Sequence, residues 1–256
     1  MKSYIIHFLR HGMTDSNIKG IYTGTTDIPL CEDGISQLIE LRDKYDYGKP
    51  DLIFTSPLIR CKQTAHIIFG EDARLNVVDG LHELSMGDFE GKTAEQVIDM
   101  PGYTDWVQGK CPPPNGESNK DFATRICTAF VQTVREIMKT GLTESVIVAH
   151  GGVIMTLLSV YGISDSPDET GLRWMANNGR GFTIRVTPSI WMRTGMFEIL
   201  SEYPLGSSDE PDLSINPVKK GAFSFVIDED KQELNFTEDI DDGADENTDY
   251  DDFDGE

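Results

Sequence analysis

Strand-like and helix-like segments alternate along most of this 256-residue chain. That alternation predicts an α/β fold: a three-layer α/β/α sandwich around a mostly parallel central sheet. Two further observations support it. The strand-like runs are continuously apolar, as strands covered on both faces must be. Two of them, Tyr4–Leu9 and Ser145–Ala149, end abruptly in His-Gly, at His11-Gly12 and His150-Gly151. In open α/β sheets the carboxyl ends of the strands are where ligands bind.

The elements follow in order. Residues 3–9 read as the first strand, and Asn17–Cys31 as a loop rich in Gly, Thr, Asp and Pro. Asp33 to about Tyr45 is amphipathic and reads as helix. Residues 51–55 form a short buried strand, and 57–69 a helix opened by Pro57, a residue suited to the first helical position. Residues 75–78 are strand-like. Thr93–Met100 and Tyr103–Gln108 read as short helices, and Pro112-Pro113-Pro114-Asn115-Gly116 breaks the chain. The longest helical pattern, Glu117–Lys139, aligns Phe122, Ile126, Phe130, Val134 and Ile137 on one face. A strand over 145–149 and a helix over 151–161 come next. Gly181–Thr187 and Met196–Tyr203 alternate as closing strands.

Charge is distributed unevenly. Residues 206–256 carry 18 acidic and 3 basic residues, a net of −15 within a total of −22. The front of the chain is therefore a mildly acidic domain over residues 1–205. Residues 206–237 form an extension in which 222–227 and 233–236 can pair as a hairpin. Residues 238–256 read as a disordered acidic tail. Setting Gly243 as the turn glycine of a calcium loop puts Ile240 at a ligand position, so that pattern fails. The acidity argues against nucleic acid as a partner. No apolar run is long enough to cross a bilayer, and no leader pattern opens the chain. Cys31, Cys61, Cys111 and Cys127 have no C-x-x-C or metal-ligand spacing and read as reduced thiols of a cytoplasmic protein. The five histidines assemble no zinc motif, so neither metal nor cofactor is expected. A homodimer is one arrangement the sequence leaves open.

The candidate chemistry is cleavage of a phosphate ester. That reaction needs a nucleophile, positive charge around the phosphoryl oxygens and a proton for the leaving group. His11 is the candidate nucleophile, since Arg10 beside it favours the neutral imidazole. Arg10 and Arg60 are candidate phosphate clamps, Arg60 at the start of a helix where anions are favoured. His150, if protonated, would hold a phosphoryl oxygen, and Asn17 would donate from the first loop. Glu83 is the preferred proton donor, taken to sit at a strand end, with Asp88 and Glu90 competing. Gly12 would let the backbone approach a ligand. His7, His66 and His82 read as structural, and the aromatic and Met residues of 174–197 as core.

Taken together these motifs resemble the histidine phosphatase, or phosphoglycerate-mutase-like, superfamily over roughly residues 3–200. The matching pieces are Arg10-His11-Gly12-Met13-Thr14 with Asn17; Tyr22-Thr23-Gly24 through Asp33-Gly34; and Ser56-Pro57-Leu58 with Arg60 and Gln63-Thr64-Ala65. The others are Glu83 with Gly87-Asp88-Phe89-Glu90-Gly91, Asn115-Gly116-Glu117-Ser118, and Val148-Ala149-His150-Gly151. The short segment between Arg60 and Glu83 resembles the small phosphatase branch, to which alpha-ribazole phosphatases belong. The resemblance implies a phosphohistidine at His11 and Glu83 as acid. It places Arg10, Asn17, Arg60, His150 and Gly151 around the phosphoryl group, and requires no metal. A small phosphorylated metabolite is the implied partner. Phe89 stands where a Trp is usual, a volume-reducing swap of little mechanistic meaning, and His82 stands where an Arg is frequent, so the surroundings of Glu83 are expected to differ.

Overall fold

A computed structural model describes residues 2–163 and 174–207. The hairpin and acidic tail expected beyond 207 lie outside these residues.

Among the described residues, seven strands form one sheet: β1 (Tyr4–Arg10), β2 (Leu52–Thr55), β3 (Leu75–Val77), β4 (Glu144–Ala149), β5 (Gly162–Ile163), β6 (Gly181–Val186) and β7 (Phe197–Tyr203). Their spatial order is β3-β2-β4-β1-β6-β7-β5. Strands β3, β2, β4 and β1 run parallel, and β6 is antiparallel to both of its neighbours. The mostly parallel sheet is therefore as expected. The helices are α1 (Asp15–Lys19), α2 (Glu32–Lys44), α3 (Ile59–Phe69), α4 (Ala94–Val97), α5 (Tyr103–Val107), α6 (Asn119–Thr140), α7 (Gly151–Tyr161) and α8 (Pro188–Thr194).

Side chains alternate between two cores. Ile6, Phe8, Phe54 and Ile147 face a cluster shared with Phe122, Ile126 and Phe130 of α6 and Ile154 and Leu157 of α7. Leu9, Ile53, Val146 and Val148 face the opposite cluster, with Leu38 and Leu41 of α2 and Cys61, Ala65 and Ile68 of α3. Strands covered on both faces account for the unbroken apolar runs.

Several elements differ from the sequence expectation. Helix α3 begins at Ile59 rather than Pro57. Its first free N–H, on Ile59, donates to Asp27 Oδ1 at 2.6 Å, and Leu58 N–H donates to Ser56 Oγ at 3.4 Å. The start is thus set by a distant loop, not by the proline. Strand β3 stops at Val77, and a 3₁₀ turn over Asp79–Leu81 follows. Helix α8 was not foreseen within 187–196. Pro188 at its first turn and left-handed Gly195 at its end supply the start and stop signals, and Trp191 buries its apolar face. The first loop also contains the short helix α1.

Candidate active site

Strands β1, β4 and β2 lie side by side, and each delivers a polar residue just beyond its carboxyl end. These are His11, His150 and Ser56. Register pairs Arg10 with Ala149 and Thr55 with Val148, so β1 and β4 end level and β2 ends one residue short of them. The His11 and His150 rings meet edge to face, with centroids 5.2 Å apart. Both are buried, His150 completely.

His11 is held from both sides. Its N–H donates to Ala149 O at 3.0 Å, and its carbonyl accepts from Asn178 Nδ2 at 2.9 Å. Its Nδ1 lies 2.7 Å from its neighbour's carbonyl, Gly12 O, which only an Nδ1–H can satisfy. That bond leaves the Nε2 lone pair for attack. Burial first, then the guanidiniums of Arg60 and Arg10, hold the His11 pKa well below its ordinary value. The imidazole is therefore neutral, as a nucleophile must be. Gly12 contributes differently from expectation: a Cβ there would lie 2.5 Å from Leu38 Cδ1. Its bareness serves packing against α2, and its N–H donates to Thr64 Oγ1 at 2.9 Å.

Arg60 is 2% exposed and sits in the first turn of α3. Its two terminal nitrogens donate to Thr26 O at 2.9 Å and Gly24 O at 2.7 Å, which fixes the guanidinium plane. The carbonyls are fixed in turn by Glu90. That carboxylate accepts from the N–H groups of Gly24, Thr25 and Met86 and from Thr26 Oγ1. Glu90 is thereby committed to loop structure. Asp88 is exposed and accepts from Asn115 Nδ2. Neither has Glu83's position against α7, so Glu83 is the better placed acid of the three. Arg10 donates to Ala176 O at 2.7 Å, and a Cβ on Gly151 would lie 3.4 Å from its Nε, placing Gly151 beside it. The Asn17 Oδ1 accepts from Thr14 N–H at 3.1 Å and Thr14 Oγ1 at 3.0 Å. Those bonds turn its amide nitrogen to other acceptors.

Glu83 does not sit at a strand end. It follows the 3₁₀ turn, and Arg125 of α6 braces the segment by donating to Gly80 O at 2.9 Å and His82 O at 3.0 Å. Arg125 is itself bound by Glu117 at 2.7 Å. The Glu83 carboxylate accepts from Leu84 N–H and from Gly152 N–H, each at 3.0 Å. Burial raises its pKa, and those two N–H donors with Arg60 and Arg10 partly offset the rise. His150 Nε2 lies 2.7 Å from Ser56 Oγ, and Cys61 Sγ lies 3.6 Å from the same nitrogen. Burial, then Arg60, His11 and Arg10, keep the His150 pKa well below the ordinary value. These surroundings disfavour the protonated form that the sequence reading gave to His150.

All seven residues expected at the site, Arg10, His11, Asn17, Arg60, Glu83, His150 and Gly151, thus lie at or beside the ends of β1 and β4. Sequence reasoning did not find Ser56 as a partner of His150, Asn178 as a support of His11, or Arg125 as a brace. Ser56 was named only as part of the Ser56-Pro57-Leu58 motif, and the turn-like Asn177-Asn178-Gly179 is a local signal that could have pointed to Asn178. His7 is structural as expected, stacked on Tyr203 with centroids 4.3 Å apart.

Comparison with known proteins agrees with this geometry. Residues 6–187 match the histidine phosphatase superfamily (branch 1). The adenosylcobalamin/alpha-ribazole phosphatase of Salmonella typhimurium is 28% identical over 156 residues, covering 59% of this chain and 76% of that protein. A 2,3-bisphosphoglycerate-dependent phosphoglycerate mutase of Xanthobacter autotrophicus is 31% identical over 187 residues, 67% of this chain and 90% of that one. Among solved structures, a mycobacterial glucosyl-3-phosphoglycerate phosphatase superposes with a TM-score of 0.63 at 25% identity, covering 77% of this chain and 97% of that one. A putative alpha-ribazole-5′-P phosphatase of Escherichia coli shares the fold, with a TM-score of 0.65 at 22% identity over 77% of this chain and 94% of that one. With two opposed histidines at adjacent strand ends and a match spanning most of its length, the chain belongs to the histidine phosphatase superfamily, branch 1, and is a phosphatase enzyme.

Proposed function

We propose that the protein hydrolyses a small phosphomonoester metabolite in the cytoplasm, with His11 carrying the phosphoryl group between two displacements. The observation that carries the reading is the facing pair of buried imidazoles, 5.2 Å apart, with the guanidiniums of Arg10 and Arg60 close enough to disfavour their charged forms. The guanidiniums bind the phosphoryl oxygens and take up the charge that develops on them. Asn17, His150 and the N–H of Gly151, at the start of α7, add donors. His11 Nε2 attacks phosphorus as the ester P–O bond breaks. Glu83, protonated at its raised pKa, passes its proton to the departing oxygen. Ionised Glu83 then takes a proton from water as water attacks the phosphohistidine. Inorganic phosphate leaves, and His11 and Glu83 return to their starting states.

The test is a single-turnover reaction with a labelled phosphomonoester panel. Acid-labile label on His11 and stoichiometric release of inorganic phosphate are the expected result. His11→Ala should abolish turnover, and Glu83→Gln should slow it by roughly 10²–10⁴-fold. Label that returns to another position of the substrate, with little phosphate freed, would replace hydrolysis by a mutase reaction. Activity retained in His11→Ala would overturn the nucleophile.

A further inference from the structure

His150 faces a difficulty that the pocket's other donors do not. To hold a phosphoryl oxygen it must present an N–H, yet its surroundings disfavour the imidazolium, which would have supplied two. A neutral ring presents only one N–H, so its tautomer decides whether it binds the phosphoryl group through Nδ1 or through Nε2.

Three contacts bear on that choice. Ser56 Oγ approaches Nε2 to 2.7 Å; the Cys61 sulfur lies 3.6 Å from Nε2 and 3.9 Å from Nδ1, and Nδ1 has no other hydrogen-bonding partner among the described residues. Leu58 N–H donates to the same Ser56 oxygen, at 3.4 Å, and occupies a lone pair. No carbonyl or carboxylate among the described residues accepts from Ser56 Oγ, so the hydroxyl hydrogen has the imidazole as its strongest acceptor. Cys61 directs its own S–H to Ala149 O at 3.5 Å, and burial pushes its pKa up to about 12, so it remains a neutral thiol beside the ring. Ser56 itself is fully buried and set at the carboxyl end of β2, one register position short of His150 in the sheet.

We propose that Ser56 is a positioning residue for His150: its hydroxyl donates to Nε2 and locks the neutral ring as the Nδ1–H tautomer, whose free N–H is the donor to the transferring phosphoryl group. The inference rests on the phosphoryl-transfer reading above and deepens it. It gives a neutral histidine the donor that a protonated one would otherwise supply, in a pocket already holding two guanidiniums.

The experiment has two arms. Long-range ¹H–¹⁵N correlation spectra of the full-length protein, with His150 assigned by substitution, report which ring nitrogen carries the proton. Nδ1–H is expected in the wild type, and a mixture of tautomers in Ser56→Ala. In parallel, turnover of p-nitrophenyl phosphate should show kcat lowered roughly 10-fold by Ser56→Ala, the size of one lost hydrogen bond in the transition state. KM should stay within about twofold, and Ser56→Thr should restore both the tautomer and the rate. An Nε2–H signal in the wild type, or an unchanged kcat in Ser56→Ala, would overturn the proposal. If Ser56→Ala does not fold, the wild-type spectrum decides alone. Failure of the underlying reading looks different: the wild-type protein would neither turn over the ester nor take label on His11, whatever its tautomer.

Discussion

The Glu90 carboxylate grips the Gly24 N–H through both of its oxygens, at 3.1 and 3.0 Å, and the Gly24 carbonyl grips Arg60 at 2.7 Å. One carboxylate therefore orients a phosphate clamp it does not touch. Replacing Glu90 by Ala leaves several loop N–H groups without an acceptor, which should cost about 2 kcal/mol of stability in urea denaturation. The loosened Arg60 should also raise KM more than it lowers kcat. A KM unchanged in Glu90→Ala would mean that Arg60 keeps its place without the loop.

Gly152 sets the reach of the acid. A Cβ at this position would stand 2.5 Å from Glu83 Oε1, and the Gly152 N–H is one of that carboxylate's two backbone donors. Gly152→Ala should push the carboxyl group off its position and lower kcat by about 10²-fold, since small misplacements of catalytic groups are that costly. Circular dichroism should show the helix intact. Full activity in this variant would show that Glu83 has room to adjust.

Two guanidiniums in one pocket, Arg60 buried and Arg10 partly so, predict stabilisation by a tetrahedral anion. Inorganic phosphate or vanadate at 100 times its Kd should add about 2.7 kcal/mol, a rise of roughly 5–10 °C in Tm. Arg60→Ala should remove most of the gain. Sulfate-insensitive and phosphate-insensitive melting of the wild type would contradict an anion site here.

Stability should fall on the acid side of pH 6.5. His7, His11 and His150 all have folded-state pKa values lowered by burial. Below 6.5 the unfolded chain takes up protons that the folded one refuses, so unfolding becomes easier as pH drops. Glu83 acts in the opposite sense. Its raised folded pKa means that its contribution is full below about 4.5 and is lost as pH rises. Three histidines against one carboxyl leave a net loss between pH 6.5 and 5, read as a falling urea midpoint. The double variant His11→Asn with His150→Asn should flatten that dependence.

The chemistry was largely legible in the sequence because its residues sit where local pattern changes. An apolar run that stops in Arg10-His11-Gly12 or His150-Gly151 marks a strand end without any knowledge of the fold. The supports were not legible, because they arise across the fold. Arg125 looks like any polar residue on the exposed face of a long amphipathic helix, yet its guanidinium reaches Gly80 O and His82 O. Asn178 lies far along the chain from any catalytic motif, yet it supports the His11 carbonyl. Helix α3 starts two residues late because Asp27, far upstream, caps it. Glu83 was preferred over Asp88 and Glu90 for a strand end it does not occupy; what sets it apart in the structure is its contact with α7, while Glu90 holds loop N–H groups.

The sheet order has a consequence for how the enzyme comes into being. Strand β4 inserts between β1 and β2, although it is made long after both. A ribosome that has released only the first hundred or so residues has produced His11, Arg60 and Glu83, but not β4, which lies between the strands that lead into the first two, nor α6 and α7, which hold the third. Closing that gap is a long-range event of the slow kind. Phosphate affinity should therefore arrive in one step, late in synthesis, and serve as a built-in reporter of a completed fold.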